Sequence, residues 1–204
     1  MNQAVNVLTV GVGGQGIISL SDLIAEMAFR AGYDVKKSEI HGLSQRGGSV
    51  NGHIRWSRQV HSPVIMEGEA HFLVSLEELE TLRWAHLLRP DGLAIVNAYR
   101  ILPATLALAK GGGYPEDIPE RLAEYAKSEW VDAAAIAQTL GNIRAANTVL
   151  LGVLSRHLEF SEEQWRATLT AFFPEKHRDL NLRAFAAGRQ AQPRIRERSA
   201  PAVG

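Results

Sequence analysis

Asn6-Val7-Leu8-Thr9-Val10-Gly11-Val12-Gly13-Gly14-Gln15-Gly16 is the stretch whose reading decides the fold. Asn6–Val10 is short and largely β-branched, as a buried strand requires, and the residues beyond the glycines have helical rather than alternating spacing. The glycines match Gly-x-Gly-x-x-Gly directly after a strand and at the opening of a helix, the context in which that pattern has physical meaning. Glycine there lets the chain turn tightly and lets a pyrophosphate approach the helix N-terminus, whose free N–H groups and dipole favour anions. Gly11, Gly13, Gly14, Gln15 and Gly16 are therefore candidate cofactor-binding residues. The competing explanation is steric, since glycine is also the default where a helix and a sheet pack closely without any ligand.

Outward from the turn, Leu20, Leu23, Ile24, Met27, Ala28 and Ala31 fall on one helical face, and Gly32 supplies a stop. A second strand is expected at Asp34–Ser38. Strand, glycine turn, helix and strand spell the βαβ grammar, so the predicted fold is α/β, a Rossmann-like open, mostly parallel sheet flanked by helices. A nicotinamide-binding version would place an acidic residue at the end of the second strand to hold a ribose. Asp34 lies at its beginning and Glu39 just past its end, and neither fits cleanly.

Ile40–Gly48 reads as a loop, followed by a strand over Ser49–Trp56. Glu39-Ile40-His41-Gly42-Leu43-Ser44-Gln45-Arg46-Gly47-Gly48-Ser49 is the densest functional stretch, at the strand end where open α/β sheets bind ligands. Arg46 beside two glycines could clamp a carboxylate or phosphate, and His41 could titrate near neutral pH. The alternative is a packed loop in which Arg46 pairs with a carboxylate and His41 caps. Further along, strands are expected at His71–Ser75 and Leu93–Val96 and a helix at 76–88 ended by Pro90 and Gly92. Gly111–Gly113 with Pro115 signals a linker, a helix begins after Pro119, and Trp130-Val131 reads as a last strand. The C-terminal part is helical: Ala145–Leu158 is apolar nearly all round, and Ser161 with Gln164 has capping-box spacing. Residues 1–188 form one domain, and 189–204, with Arg189, Arg194, Arg196 and Arg198, read as a mobile basic tail.

The chain has 204 residues, 22 basic and 22 acidic side chains, and no cysteine. That length buries about 70% of the unfolded chain's surface without any staple. Lack of cysteine excludes disulfides, thiolate metal sites, cysteine-ligated iron–sulfur clusters and a cysteine nucleophile. Zero net charge gives no reason to expect nucleic acid, and neither a secretory signal nor a run of roughly 20 apolar residues is present, so a cytoplasmic protein is expected. His53, His61 and His71 lack metal-ligand spacing, so no metal site is assigned. The run Glu77-Glu78-Glu80 reads as the solvated start of a helix, and Trp84, Trp130 and Trp165 as core or interface anchors.

Taken together, Gly-x-Gly-Gly-Gln-Gly at 11–16 and Glu-x-His-Gly-x-x-Gln-Arg-Gly-Gly-Ser-Val at 39–50 resemble the gamma-type subunit or domain of the 2-oxoacid:ferredoxin oxidoreductases, in the form acting on arylpyruvates such as indolepyruvate. Asn97, Asn147-x-x-Leu150-Leu151-Gly152 and Asn181–Gly188 extend the resemblance over Val7–Gly188. It implies oxidative decarboxylation of a 2-oxoacid with coenzyme A, giving an acyl-CoA, carbon dioxide and reduced ferredoxin. In such enzymes thiamine diphosphate, with magnesium, and iron–sulfur clusters carry the chemistry. This chain has no cysteine for clusters and no Gly-Asp-Gly start of a thiamine-diphosphate motif, Pro90-Asp91-Gly92 being the nearest string. The resemblance therefore implies that it binds neither alone, that both reside on a larger partner subunit, and that ferredoxin or another acceptor is reached through the complex.

On this reading Arg46, His41 and Gln45 are candidate catalytic residues. Glu39, Gly47, Gly48, Ser49 and Asn147 join the turn glycines and Gln15 in positioning coenzyme A. A stand-alone NAD(P)-dependent dehydrogenase is the first alternative, although a cofactor half of about 150 residues leaves only about 50 for a substrate domain. A purely structural scaffold subunit is the second.

Overall fold

A computed structural model describes residues 4–41, 47–103 and 113–199. Seven strands form one sheet in the order β2-β3-β1-β4-β5-β6-β7. They are β1 (Val5–Val12), β2 (Asp34–His41), β3 (Ser49–Ser57), β4 (Ala70–Ser75), β5 (Leu88–Asn97), β6 (Lys127–Val131) and β7 (Arg194–Arg196). β1, β4, β5 and β6 pair in parallel, whereas β3 is antiparallel to β1 and to β2, and β7 to β6. β2 therefore shares β1's direction, and only β3 and β7 oppose the rest. The expected α/β sheet, mostly parallel with flanking helices, is what forms.

Helix α1 (Ile17–Arg30) buries Leu20, Leu23, Ile24, Met27 and Ala28, the face given by its three- and four-residue spacing. It stops at Gly32, whose φ is 87°; Gly32 N–H bonds the Phe29 carbonyl and Tyr33 N–H that of Ala28, the paired closure of a glycine-ended helix. With α1 on one face of the sheet lie α4 (Ala133–Thr139), α5 (Ala146–Leu154), α6 (Glu162–Phe172) and α7 (Glu175–Gln190), sharing a core of Val7, Ile54, Val74, Ile95, Leu150, Trp165 and Phe185. α2 (Glu78–Trp84) and α3 (Ile118–Ala123) cover the other face over Leu8, Val10, Leu73, Val96 and Trp130. Every residue of α5 is buried, as its all-round apolar sequence demands. The Ser161–Gln164 capping box forms with both of its hydrogen bonds.

Several expectations are corrected. β2 runs on through Ile40 and His41, so Glu39 lies inside the strand opposite Gly52 rather than past its end. The helix expected at 76–88 is α2 succeeded by a short 3-10 turn, Ala85–Leu87, and Pro90 and Gly92 fall inside β5. A proline is tolerated there because Ala70 pairs with Leu88 but Phe72 with Leu93, so residues 89–92 bulge out of the ladder. The stretch read as a mobile basic tail begins as the end of α7 and then adds β7 along β6, with Lys127 on Glu197 at 2.8 Å and Arg196 on Glu120 at 2.9 Å. The predicted Gly111–Gly113 linker lies mostly outside the described residues.

Candidate functional site

The chain leaves β1 for α1 and then β2 on one side, while β4, β5 and β6 lie on the other. The switch point is therefore between the C-terminal ends of β1 and β4, where open α/β sheets hold their ligands. The glycine turn occupies it. Gly14 and Gly16 have φ of 103° and 83°, which only glycine adopts cheaply. Gly11 serves packing: a Cβ there would lie 2.7 Å from Ile17 Cδ1 and 2.8 Å from Gln15 Oε1.

Gln15 closes the turn. Its Oε1 accepts from Val12 N–H at 2.8 Å and its Nε2 donates to the Leu76 carbonyl at 2.9 Å, tying β1 to the end of β4. Asn97 donates to the same carbonyl at 3.2 Å and accepts from Ala134 N–H at 3.2 Å, adding the end of β5 and the start of α4. Gly13 N–H donates to the Gly48 carbonyl at 2.8 Å and Val12 pairs with Ser49, so the end of the 39–49 segment is brought against the turn. Ser49 Oγ donates to Glu80 and accepts from Trp84 Nε1 at 3.3 Å. Gln45 and Arg46 lie outside the described residues, and of His41 only the backbone, in β2 opposite Val50, is described.

Asn147, at the start of α5, donates from Nδ2 to the Gly16 carbonyl at 3.2 Å. Its Oδ1 accepts from Thr148 N–H at 2.7 Å, and Thr148 Oγ1 meets Asn181 Oδ1 on α7 at 2.7 Å. The first turn-forming bond of α1 runs from Leu20 N–H to that same Gly16 carbonyl, so the N–H groups of Ile17, Ile18 and Ser19 have no intrahelical acceptor. A cavity of about 290 Å³ opens beside them, lined among others by Gly16, Ser19, Arg144, Asn147 and His177. A second cavity of about 180 Å³ shares Gly14, Gln15 and Arg144 with it and is otherwise walled mainly by Leu76, Tyr99, Ile101 and Ile143. Arg144, for which the sequence pattern gives no hint of a role, is thus a cation shared by the two cavities, the one at the helix N-terminus carrying more of the polar side chains.

The acidic run is not a solvated face. Glu77 is 1% exposed, with Glu78 and Glu80 buried beside it. Glu77 caps α2 through Glu80 N–H at 2.9 Å and accepts from Ile101 N–H at 3.0 Å and from the Tyr114 hydroxyl at 2.5 Å. Burial, reinforced by the Glu77 carboxylate, holds the Tyr114 hydroxyl far above its usual value, so it stays protonated. Glu78 pairs with Arg100 at 2.9 Å. Of Trp84, Trp130 and Trp165, the last two are core residues, as is Trp56, the chain's fourth tryptophan.

Glu39 pairs with Lys37 at 2.8 Å, and Lys37 also meets Asp22 on α1. Burial alone lowers the Lys37 amine, but the two carboxylates outweigh it and raise it above its usual value. The ribose-binding role required of a nicotinamide fold fails for a topological reason. β3 is inserted between β1 and β2, so the end of β2 stands two strand spacings, about 9–10 Å, from the glycine turn instead of one.

The chain belongs to the pyruvate ferredoxin/flavodoxin oxidoreductase family, whose pattern matches residues 6–191. Within it, the chain is 37% identical over 191 residues to indolepyruvate oxidoreductase subunit IorB of Thermococcus kodakarensis, spanning 91% of this chain and 95% of that protein. IorB of Archaeoglobus fulgidus is 38% identical over 193 residues, 90% of this chain and 92% of that one. Among solved structures, pyruvate oxidoreductase subunit PORC from Thermotoga maritima shares the fold at a TM-score of 0.73 and 24% identity, over 96% of this chain and 99% of that chain. The 2-oxoglutarate:ferredoxin oxidoreductase from Magnetococcus marinus matches at 0.70 and 22% identity, over 93% of this chain but 31% of that longer one.

Proposed function

We propose that this chain is the small accessory subunit of a 2-oxoacid:ferredoxin oxidoreductase acting on an arylpyruvate of the indolepyruvate kind, and that it positions coenzyme A. The observation that carries the reading is the switch-point arrangement: the N–H groups at the start of α1, which have no intrahelical acceptor, lie beside a cavity also lined by Arg144 and Asn147. Coenzyme A joins a phosphorylated nucleotide to a less polar arm, and two cavities that meet at Arg144, one lined by Ser19, Asn147 and His177 and the other by Leu76, Tyr99 and Ile101, suit that chemistry.

The chain's own residues do not fit the redox groups of such an enzyme. It has no cysteine, and the described residues contain no group of three His, Asp or Glu able to hold a metal ion. Thiamine diphosphate, magnesium and the clusters are therefore assigned to a larger partner subunit, and electrons pass to ferredoxin or another acceptor without crossing this chain. Its part is to bind and orient. The α1 N-terminus and Arg144 hold phosphate oxygens, while Gln15 and Asn97 fix the turn through the Leu76 carbonyl. His41, the last residue of β2, and Gln45 and Arg46, which follow it in the sequence, are assigned to the face that meets the partner's active centre. No helix among the described residues is long and apolar enough to cross a membrane, and we place the complex in the cytoplasm.

Co-expression with the large subunit tests the reading. A brown, thiamine-bearing complex should copurify and reduce ferredoxin in a reaction requiring both an arylpyruvate and coenzyme A. Failure of any such subunit to copurify, or full coenzyme A-dependent turnover by the large subunit alone, refutes it.

A further inference from the structure

At the end of the sheet opposite the glycine turn, the N-terminal ends of β1, β4 and β5 surround an open cavity of about 730 Å³. It shares no residue with the two cavities beside the turn. Three guanidinium groups from distant parts of the chain line it, Arg55 of β3, Arg89 of the β5 bulge and Arg198 just beyond β7, together with Asn6 and His71.

Asn6, 5% exposed, holds two of these side chains in place. Its Oδ1 accepts from Arg55 Nε at 3.0 Å across the β1–β3 pair, and its backbone N–H donates to His71 Nδ1 at 3.1 Å. Because Nδ1 accepts, neutral His71 carries its proton on Nε2. Arg55 is fixed further by donating from Nη1 to the Val64 carbonyl at 2.7 Å. The third wall is the bulge at 89–92, held open because Gly92 packs so tightly that a Cβ would lie 2.9 Å from the Ala70 carbonyl. Bulges re-aim side chains in this way beside functional sites.

Two carboxylates, Glu69 and Asp91, share the cavity with the three guanidinium groups and leave it net positive. Among the described residues Asp91 accepts a hydrogen bond only from Nε of Arg89. Glu69 lies 3.9 Å from Arg55 Nη2, beyond hydrogen-bond reach, and Arg198 uses Nη1 on the Pro90 carbonyl at 3.2 Å. Both terminal nitrogens of Arg89, Nη2 of Arg55 and of Arg198, and Nε2–H of His71 thus have no hydrogen-bond acceptor among the described residues. The net field registers on His71, which burial and then Arg89 push below its usual value, with Arg55 adding to the shift and Asp91 opposing it.

We propose that this cavity is a second ligand site, for a small phosphorylated organic anion whose phosphate oxygens are held by Arg55, Arg89, Arg198 and His71. A planar carboxylate is satisfied by one forked guanidinium; donors converging from separate walls suit a tetrahedral oxyanion. The volume falls within the range of small-molecule pockets.

The test is calorimetric titration of the full-length chain, copurified with its partner, using inorganic pyrophosphate and AMP, with citrate as the carboxylate comparison. Binding of a phosphate probe that weakens at least about tenfold in Arg89→Gln/Arg198→Gln, and persists in Arg144→Gln, is the expected result. If the double variant is unstable, Arg198→Gln alone, which loses one exposed hydrogen bond, should weaken binding about threefold or more. Unchanged binding in the Arg89 and Arg198 variants, loss of all phosphate binding in Arg144→Gln, or citrate binding as tightly as AMP with the same sensitivity each overturn the proposal. The Arg144→Gln variant separates this proposal from the coenzyme A reading: phosphate binding at the glycine turn is lost in that variant, whereas binding at this cavity is lost in the Arg89 and Arg198 variants.

Discussion

Replacing Gly16 with alanine probes the point at which fold and site are joined. Gly16 stands at the N-terminus of α1 with φ of 83°, and a Cβ built there lies 2.7 Å from Asn147 Nδ2. An L-residue in that left-handed conformation costs about 1–2 kcal/mol. The clash also drives Asn147 off the Gly16 carbonyl, losing a hydrogen bond worth about 1 kcal/mol net. The expected loss is about 2–3 kcal/mol, which for a chain of this size lowers Tm by roughly 4–12 °C. Gly14→Ala is the matched control: its φ is 103° but nothing among the described residues lies within 4 Å of the new Cβ, so the backbone strain is the cost that applies. Scanning calorimetry of the copurified complex should place Gly16→Ala well below Gly14→Ala. Asn147→Ala should then make the two losses less than additive, since it removes the atom that the new Cβ meets. Strict additivity of Gly16→Ala with Asn147→Ala, or equal losses at Gly14 and Gly16, would refute the idea that Asn147 seats the turn.

Three further outcomes are expected. Gly188→Ala should destabilise by about 3 kcal/mol or more, because its Cβ would lie 1.9 Å from the Val149 carbonyl, a backbone atom that can move only if α5 and α7 separate; loss of soluble complex or a Tm fall of at least about 6 °C checks it. Glu129, on β6, is held below its usual value of 4.5 chiefly by His157 and also by Arg156, so its carboxylate adds stability above that pH that is lost as pH falls through the lowered value; Glu129→Gln should flatten the acid limb of the Tm–pH curve without shifting its alkaline side. In the assembled enzyme, Arg144→Gln and Arg46→Ala should each raise the KM for coenzyme A by about three- to tenfold while gel filtration shows the subunits still associated, and an unchanged KM removes that residue from the site.

What the sequence made legible was local. The Gly11–Gly16 turn, the buried face of α1, the Gly32 stop and the Ser161–Gln164 cap are each set by residues within a few positions of one another, so periodicity and capping chemistry suffice. The insertion of β3 between β1 and β2 was not legible, because βαβ spacing looks the same whether or not a later strand returns into the gap. Glu77, Glu78 and Glu80 misled for the same reason. Their partners, Tyr114, Arg100 and Ser49, are distant in sequence, and without them a run of carboxylates reads as solvated. Arg144 carried no local signal, being one cation in an apolar neighbourhood. Its place is set only by α5 docking on the turn.

That docking also gives a physical account of the distant segments Asn147–Gly152 and Asn181–Gly188. A Cβ on Gly152 would meet the Phe185 carbonyl at 2.2 Å, and one on Gly188 the Val149 carbonyl, so the two glycines oppose each other where α5 and α7 cross. Close backbone approach at that crossing brings Thr148 within 2.7 Å of Asn181 and leaves Asn147 aimed at Gly16. The helical C-terminal part is therefore the clamp that fixes the N-terminus of α1 and sets Arg144 beside it. A substitution at Gly188 should disturb the site through the position of Asn147 even where the sheet survives, and in any folded Gly188 variant the coenzyme A KM should rise together with the fall in Tm.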